Sequence, residues 1–303
     1  MSVSSPKASE TCRRSWPLSD SVRSGSKWTD SYLSREEEKD ESEGLLEFAQ
    51  EKGQLDKYIS RLRCPEKHRN AALMELRVAF YLEANGFRVV EWSPQGVGGH
   101  LGEFAVEGAS RRRVFVEVKS PGWEGELSDE ERRGGRKAQP KYIDLEGRSV
   151  APWRKVRYEV EKAYRKFHPH IPNLLVIADD LFVSLEDGTD LHIGQALYSD
   201  SKAEPGYFTD ARYERLGGVG VFWVKSGRIW LSEYRRSHPD YQMRLFLNPN
   251  ALSATALPSE METVFRDEPA QSNVPLVGRE PTAFEKWLPN PSKWKPTRWR
   301  RSA

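Results

Sequence analysis

Hydrophobic and polar positions change period several times along the chain, and each change predicts an element. Leu73, Leu76, Ala79, Phe80 and Leu82 recur at helical spacing after Asn70, which can cap a helix; Asn85-Gly86 stops it. Phe87 to Trp92 reads as a strand, the glycine-rich run Gly96-Val97-Gly98-Gly99 as a flexible connection, and Glu103 to Glu107 as a second, short strand. After a turn over Gly108 to Arg112, Arg113 to Lys119 is the clearest strand, because Val114, Val116 and Val118 alternate with Phe115, Glu117 and Lys119. A highly charged loop spans 120–150. Arg154 to His168 then carries Val156, Val160, Ala163 and Phe167 on one helical stripe, and Asn173 to Ala178 is apolar enough to be buried on both faces. Val219 to Val224 and Arg228 to Leu231 flank Ser226-Gly227 as a hairpin. Helix, three strands, helix, strand describes an α/β domain with a mixed sheet.

Outside this window the pattern fades. The first 45 residues hold twelve serines and a mixed charge run, Arg35-Glu36-Glu37-Glu38-Lys39-Asp40, without apolar periodicity. Residues 1–43 therefore read as a disordered tail, since they offer little surface to offset the entropy of ordering. Prolines at 249, 258, 269, 275 and 281 break up the other end, so 249–303 reads as a proline-rich linker and a basic tail with Trp287, Trp294 and Trp299. The folded domain is expected over 44–248, with its core near 68–180.

Composition narrows the classes. The 303 residues are 37% hydrophobic and 30% charged. The longest apolar runs, Val78–Leu82 and Leu174–Ala178, fall far short of the ~20 residues of a membrane span. No apolar segment of signal-peptide type occupies the first thirty residues, and two cysteines, Cys12 and Cys64, make neither a disulfide framework nor a zinc site; a reducing, cytoplasmic setting is expected. With 47 basic against 45 acidic side chains the net charge is +2, so any affinity for nucleic acid must be local.

Strand parity supplies the candidate chemistry. Glu117 and Lys119 project from one face of their strand, while the opposite face is entirely valine. Pairing across the Gly108–Arg112 turn can bring Glu103 near Glu117. Glu75 has apolar residues at i+3, i+4 and i+7 (Val78, Ala79, Leu82), so it stands beside a buried stripe and requires a lysine, an arginine or a metal. Three carboxylates converging with a lysine would form a site of hard oxygen ligands suited to magnesium. Its chemistry would be hydrolysis of a phosphodiester. The same residues also admit plainer readings: an exposed edge strand with cross-strand charge pairs, and a helix-surface glutamate at the rim of the stripe.

The order of Glu75 on a helix, Gly102-Glu103-Phe104 opening a strand, and Val116-Glu117-Val118-Lys119 resembles the PD-(D/E)xK nuclease superfamily, over about residues 68 to 180. Lys162-Ala163 in the later helix is similar to the second core helix of that family, which often carries a basic residue facing the active site. The resemblance implies a restriction-endonuclease-like core and hydrolysis of DNA, with DNA favoured over RNA. It further implies Mg2+, or Mn2+ in its place, held by Glu103, Glu117 and the carbonyl of Val118. Lys119 would be the catalytic lysine and Glu75 a supporting ligand or base. The chain departs from the family in carrying Gly102-Glu103 where Pro-Asp is usual. The alternative is a catalytically silent module on the same fold, binding nucleic acid or, through the tails, a protein partner. Many nucleases of this class act as homodimers, but no dimer interface is readable in the sequence.

Overall fold

The computed structural model describes residues 15–24, 36–64, 66–120, 152–179, 196–199, 205–226 and 239–265. Six helices and six strands are described there: α1 (Pro17–Ser24), α2 (Glu36–Glu51), α3 (Leu55–Leu62), α4 (Glu66–Ala84), β1 (Arg88–Trp92), β2 (Phe104–Glu107), β3 (Arg113–Lys119), α5 (Pro152–Tyr164), β4 (Asn173–Asp179), β5 (Gly218–Ser226), β6 (Pro239–Leu247) and α6 (Ser259–Phe265). The strands form one mixed sheet in sequence order. The first three make an antiparallel meander, β4 and β5 run parallel to β3, and β6 returns antiparallel. None of the described helices is long and apolar enough to cross a membrane.

Alternation along the strands builds two cores. Val114, Val116 and Val118 of β3, with Leu174, Val176 and Ala178 of β4, face α2, α3 and α4. Phe115, Leu175 and Ile177 face the other way, against Val156, Val160 and Ala163 of α5 and Phe167 just beyond it. Helices therefore cover both faces of the sheet, as expected of a sheet with parallel central strands. That leaves β3 central in the sheet, which rules out the exposed-edge reading of Glu117.

Three expectations are corrected. The folded part does not begin at Gly44, because α1 and the first half of α2 precede it. Their polar residues bury against partners far away in sequence: Glu43 accepts the backbone N–H groups of Leu18 and Ser19 at 3.0 and 2.7 Å, capping α1. Asp40 accepts from the Trp16 indole at 2.7 Å. Glu41 takes a two-pronged pair from Arg77, at 2.8 and 2.7 Å, and the hydroxyl of Tyr241. Asp40, Glu41 and Glu43 are thus paired in the interior rather than on a solvated face. Nor does the fold stop at Asn248. Met261 and Phe265 of α6 are buried, and Phe265 packs on Tyr81 and Phe87 with ring centroids 5.8 and 5.5 Å apart. Finally, β5 pairs with β6 from Pro239 onward. The expected hairpin strand Arg228–Leu231 lies outside the described residues, as do the remainder of both tails and the charged loop.

Candidate active site

The end of β3 carries the site. Glu117 is fully buried, and its Oε1 accepts hydrogen bonds from the Nζ of Lys119 and, at 2.6 Å, from the Nζ of Lys166. Its Oε2 is buried as well and has no hydrogen-bond partner. A carboxylate withdrawn from water this far is costly unless its charge is matched, and two ammonium groups match it on one side only. Burial pulls the Lys119 ammonium down, but Glu117, by its charge and its hydrogen bond, together with Glu103 and Glu159, holds it above its ordinary value.

Glu103 directly precedes β2, and its backbone N–H donates to the Val116 carbonyl at 3.2 Å. This places it beside the Glu117 end of the ladder, as the expected pairing required. Burial, then the nearby Glu75 and Glu117, push its carboxyl up to about 7, against the weaker opposing pull of Lys119 and Lys166. The consequence for stability has a definite sign. Between its unfolded value near 4.5 and about 7, the native state holds a proton that the unfolded chain has lost. Stability from this group is full below the lower value and declines as pH rises through the upper one. In EDTA, urea unfolding of the protein should therefore weaken from pH 5 to pH 7.5, and Glu103→Gln should flatten that slope. An unchanged slope in Glu103→Gln would remove this residue from the acidic cluster.

Glu75, on α4, has the cation its position requires. Arg61 of α3 engages both carboxylate oxygens, one of them at 2.6 Å, and the Tyr58 hydroxyl donates to Oε2 at 3.4 Å. Burial, then Glu75, push the Tyr58 phenol well above its ordinary range, so it remains a donor. Glu75 therefore carries its own counter-charge, and together with Glu117 it still acts on the Glu103 carboxyl. Among the described residues no group of three or more His, Cys, Asp or Glu side chains is placed to hold a metal ion. Glu103 feels both Glu75, which is paired with Arg61, and Glu117, which is paired with two lysines. Val118, between Glu117 and Lys119, turns its side chain into the core on the α4 side.

The second lysine was not anticipated. Lys162 was the expected basic residue of the later helix, but it is exposed, with its Nζ over the Tyr158 ring. Lys166, just past the end of α5, reaches Glu117 instead. The signal was its place one residue before Phe167, which closes the buried stripe.

The glycine-rich segment is folded against this same lysine rather than being a loose connection. The Val97 N–H donates to the Lys166 carbonyl at 3.0 Å, and His168 Nε2 donates to the Gln95 carbonyl at 2.5 Å. A Cβ on Gly96 would meet the Lys166 carbonyl oxygen at 2.5 Å, so only glycine allows this approach. At Gly102 a Cβ would lie 2.3 Å from the ring of Phe115. The buried Phe115 ring therefore fills the space that a larger residue before Glu103 would need.

Comparison with family models, with curated proteins and with solved structures found no match. What the arrangement can do follows from its groups alone. The free Glu117 oxygen and the neighbouring Glu103 carboxyl can take a cation or a proton, and the two half-buried ammonium groups beside them can take an anion. Adjacent attraction for a cation and for an anion is what a phosphodiester with its metal demands. The charged loop from 121 to 150 and the tryptophans of the basic tail lie outside the described residues.

Proposed function

We infer that this protein is a metal-dependent nuclease that hydrolyses phosphodiester bonds of DNA, built on a restriction-endonuclease-like core. The observation that carries the reading is Glu117: a fully buried carboxylate on a central strand, held by two lysines through one oxygen, its other oxygen without a partner and the Glu103 carboxyl close by. The helix, antiparallel meander, helix and parallel strand in the expected order support it.

The donor set fits a hard divalent ion. Mg2+ takes one or two carboxylates and fills its remaining positions with water and phosphate oxygens, so Glu103 and Oε2 of Glu117 suffice, with the Val118 carbonyl as the further ligand the resemblance implies. When bound, such an ion would acidify a water and neutralise charge on the phosphodiester. Lys119 would hold the attacking water or the developing oxyanion, and Lys166 would keep Glu117 oriented. Glu103 would give up its proton on binding the cation. Glu75, already paired with Arg61, would bias Glu103 electrostatically rather than serve as a ligand.

The reading is tested with supercoiled plasmid, linear duplex, single strand, branched junction and RNA, each in magnesium, manganese and EDTA. Cutting of DNA in magnesium or manganese, abolished by EDTA, is the expected result. One observation favours a second reading, a silent module that only binds. Glu117 and Glu75 are already neutralised within the protein by lysine and arginine. Binding of the same strength in EDTA and in magnesium, without cleavage of any substrate, would replace the enzyme by that module.

A further inference from the structure

Helix α5 has two differently composed sides. Val156, Val160 and Ala163 pack beneath the sheet. Tyr158, Lys162 and Arg165, at i, i+4 and i+7, form an exposed row on the other side. Tyr158 is 59% exposed, one of the few large rings left open to solvent among the described residues, and the Lys162 ammonium lies 5.7 Å from its centroid. Of the acidic residues of this stretch, Glu159 is buried, and the Glu161 carboxylate is engaged by the Tyr207 hydroxyl at 2.8 Å. The next residue after Arg165 is Lys166, whose ammonium is already in the carboxylate cluster. The row therefore runs from an open aromatic ring, through two cations, to the residue next to Lys166.

We propose that Tyr158 and Lys162 on α5, with Arg165 just past its end, form a track for single-stranded nucleic acid leading to the Glu117–Lys119–Lys166 cluster. This rests on the nuclease reading for its direction but not for its binding. The cations match phosphates and the ring matches a base face. A duplex keeps its bases stacked on each other, so it could use the cations but not the ring; an unpaired strand uses both.

The test is fluorescence anisotropy of the full chain in EDTA, with labelled oligothymidylate and a duplex of equal length, titrated between 50 and 200 mM salt. Circular dichroism verifies that each variant is folded. Lys162→Gln/Arg165→Gln should weaken single-strand binding at least about tenfold and reduce the log–log salt slope by about 1.4, at about 0.7 per phosphate contact. Tyr158→Ala should weaken it by about 5- to 150-fold with the slope unchanged, and Tyr158→Phe should retain it. An unchanged slope in the double variant, or Tyr158→Ala binding as tightly as the parent, overturns the track. A preference for the duplex that ignores Tyr158 overturns it as well. Because cleavage is suppressed throughout, a binding track without nuclease activity and a nuclease without this track give different results.

Discussion

Lys119→Ala is expected to reduce metal-dependent cleavage by roughly 10²–10³-fold, the cost of removing one charge-stabilising donor from an active site. The fold should survive, for a reason visible in the site. Glu117 keeps Lys166 at 2.6 Å, so its buried charge does not become unpaired. The two lysines thus divide the work: one can be removed without collapse of the strand end, while removing both would leave a bare carboxylate in the interior. The measurement is single-turnover cleavage of plasmid in magnesium, with urea unfolding of the same preparation. Full activity in Lys119→Ala would end the assignment of that residue. Lost activity accompanied by lost structure would instead show that Lys166 cannot hold Glu117 alone.

The largest effect on stability is expected far from the site, at Arg77→Ala. Arg77 of α4 holds Glu41 of α2 through two hydrogen bonds, and Tyr241 of β6 donates to the same carboxylate. The Tyr241 phenol is pushed up by its burial and then by Glu41, so it stays protonated as a donor. Both charged side chains are nearly buried, 12% and 5% exposed, so alanine at 77 leaves an interior carboxylate with no opposing charge. The cost is roughly 3–5 kcal/mol, read as a lowered urea midpoint. Glu41→Gln combined with Arg77→Met removes both charges while keeping an acceptor for Tyr241, and it should lose much less than Arg77→Ala alone. If the single and double variants lose equally, the pair contributes packing rather than charge compensation.

The sequence was most legible where a periodic pattern and a packing face coincide. β3 runs over the expected residues because its valines alternate without interruption, and Glu117 and Lys119 share a face because strand parity leaves no choice. Glu75 showed its need for a cation through its apolar neighbours, but not that Arg61 would supply it, since that partner comes from another helix. The same limit hid α1 and α2. Asp40, Glu41 and Glu43 resemble a solvated run until Trp16, Arg77 and the backbone of α1 are set beside them, and one partner, Tyr241, is 200 positions away. Lys166 was missed because a lysine at a helix end is ordinarily solvated, and only the closed fold turns it toward Glu117. Gly102 was read as a departure from a family pattern, whereas its cause is the ring of Phe115 on the neighbouring strand.

The spacing of the site along the chain also orders its assembly during synthesis. The helices α2 to α4 and the meander β1 to β3 involve neighbours in sequence and can form as soon as they leave the ribosome. Lys166 is 49 positions beyond Glu117 and emerges later, together with the parallel strand that shields the other side of β3. Until then Glu117 stands at an unfinished sheet edge, hydrated and without its second lysine. Burial of Glu117 is therefore complete only once the second half of the domain, with Lys166 and β4, has been synthesised.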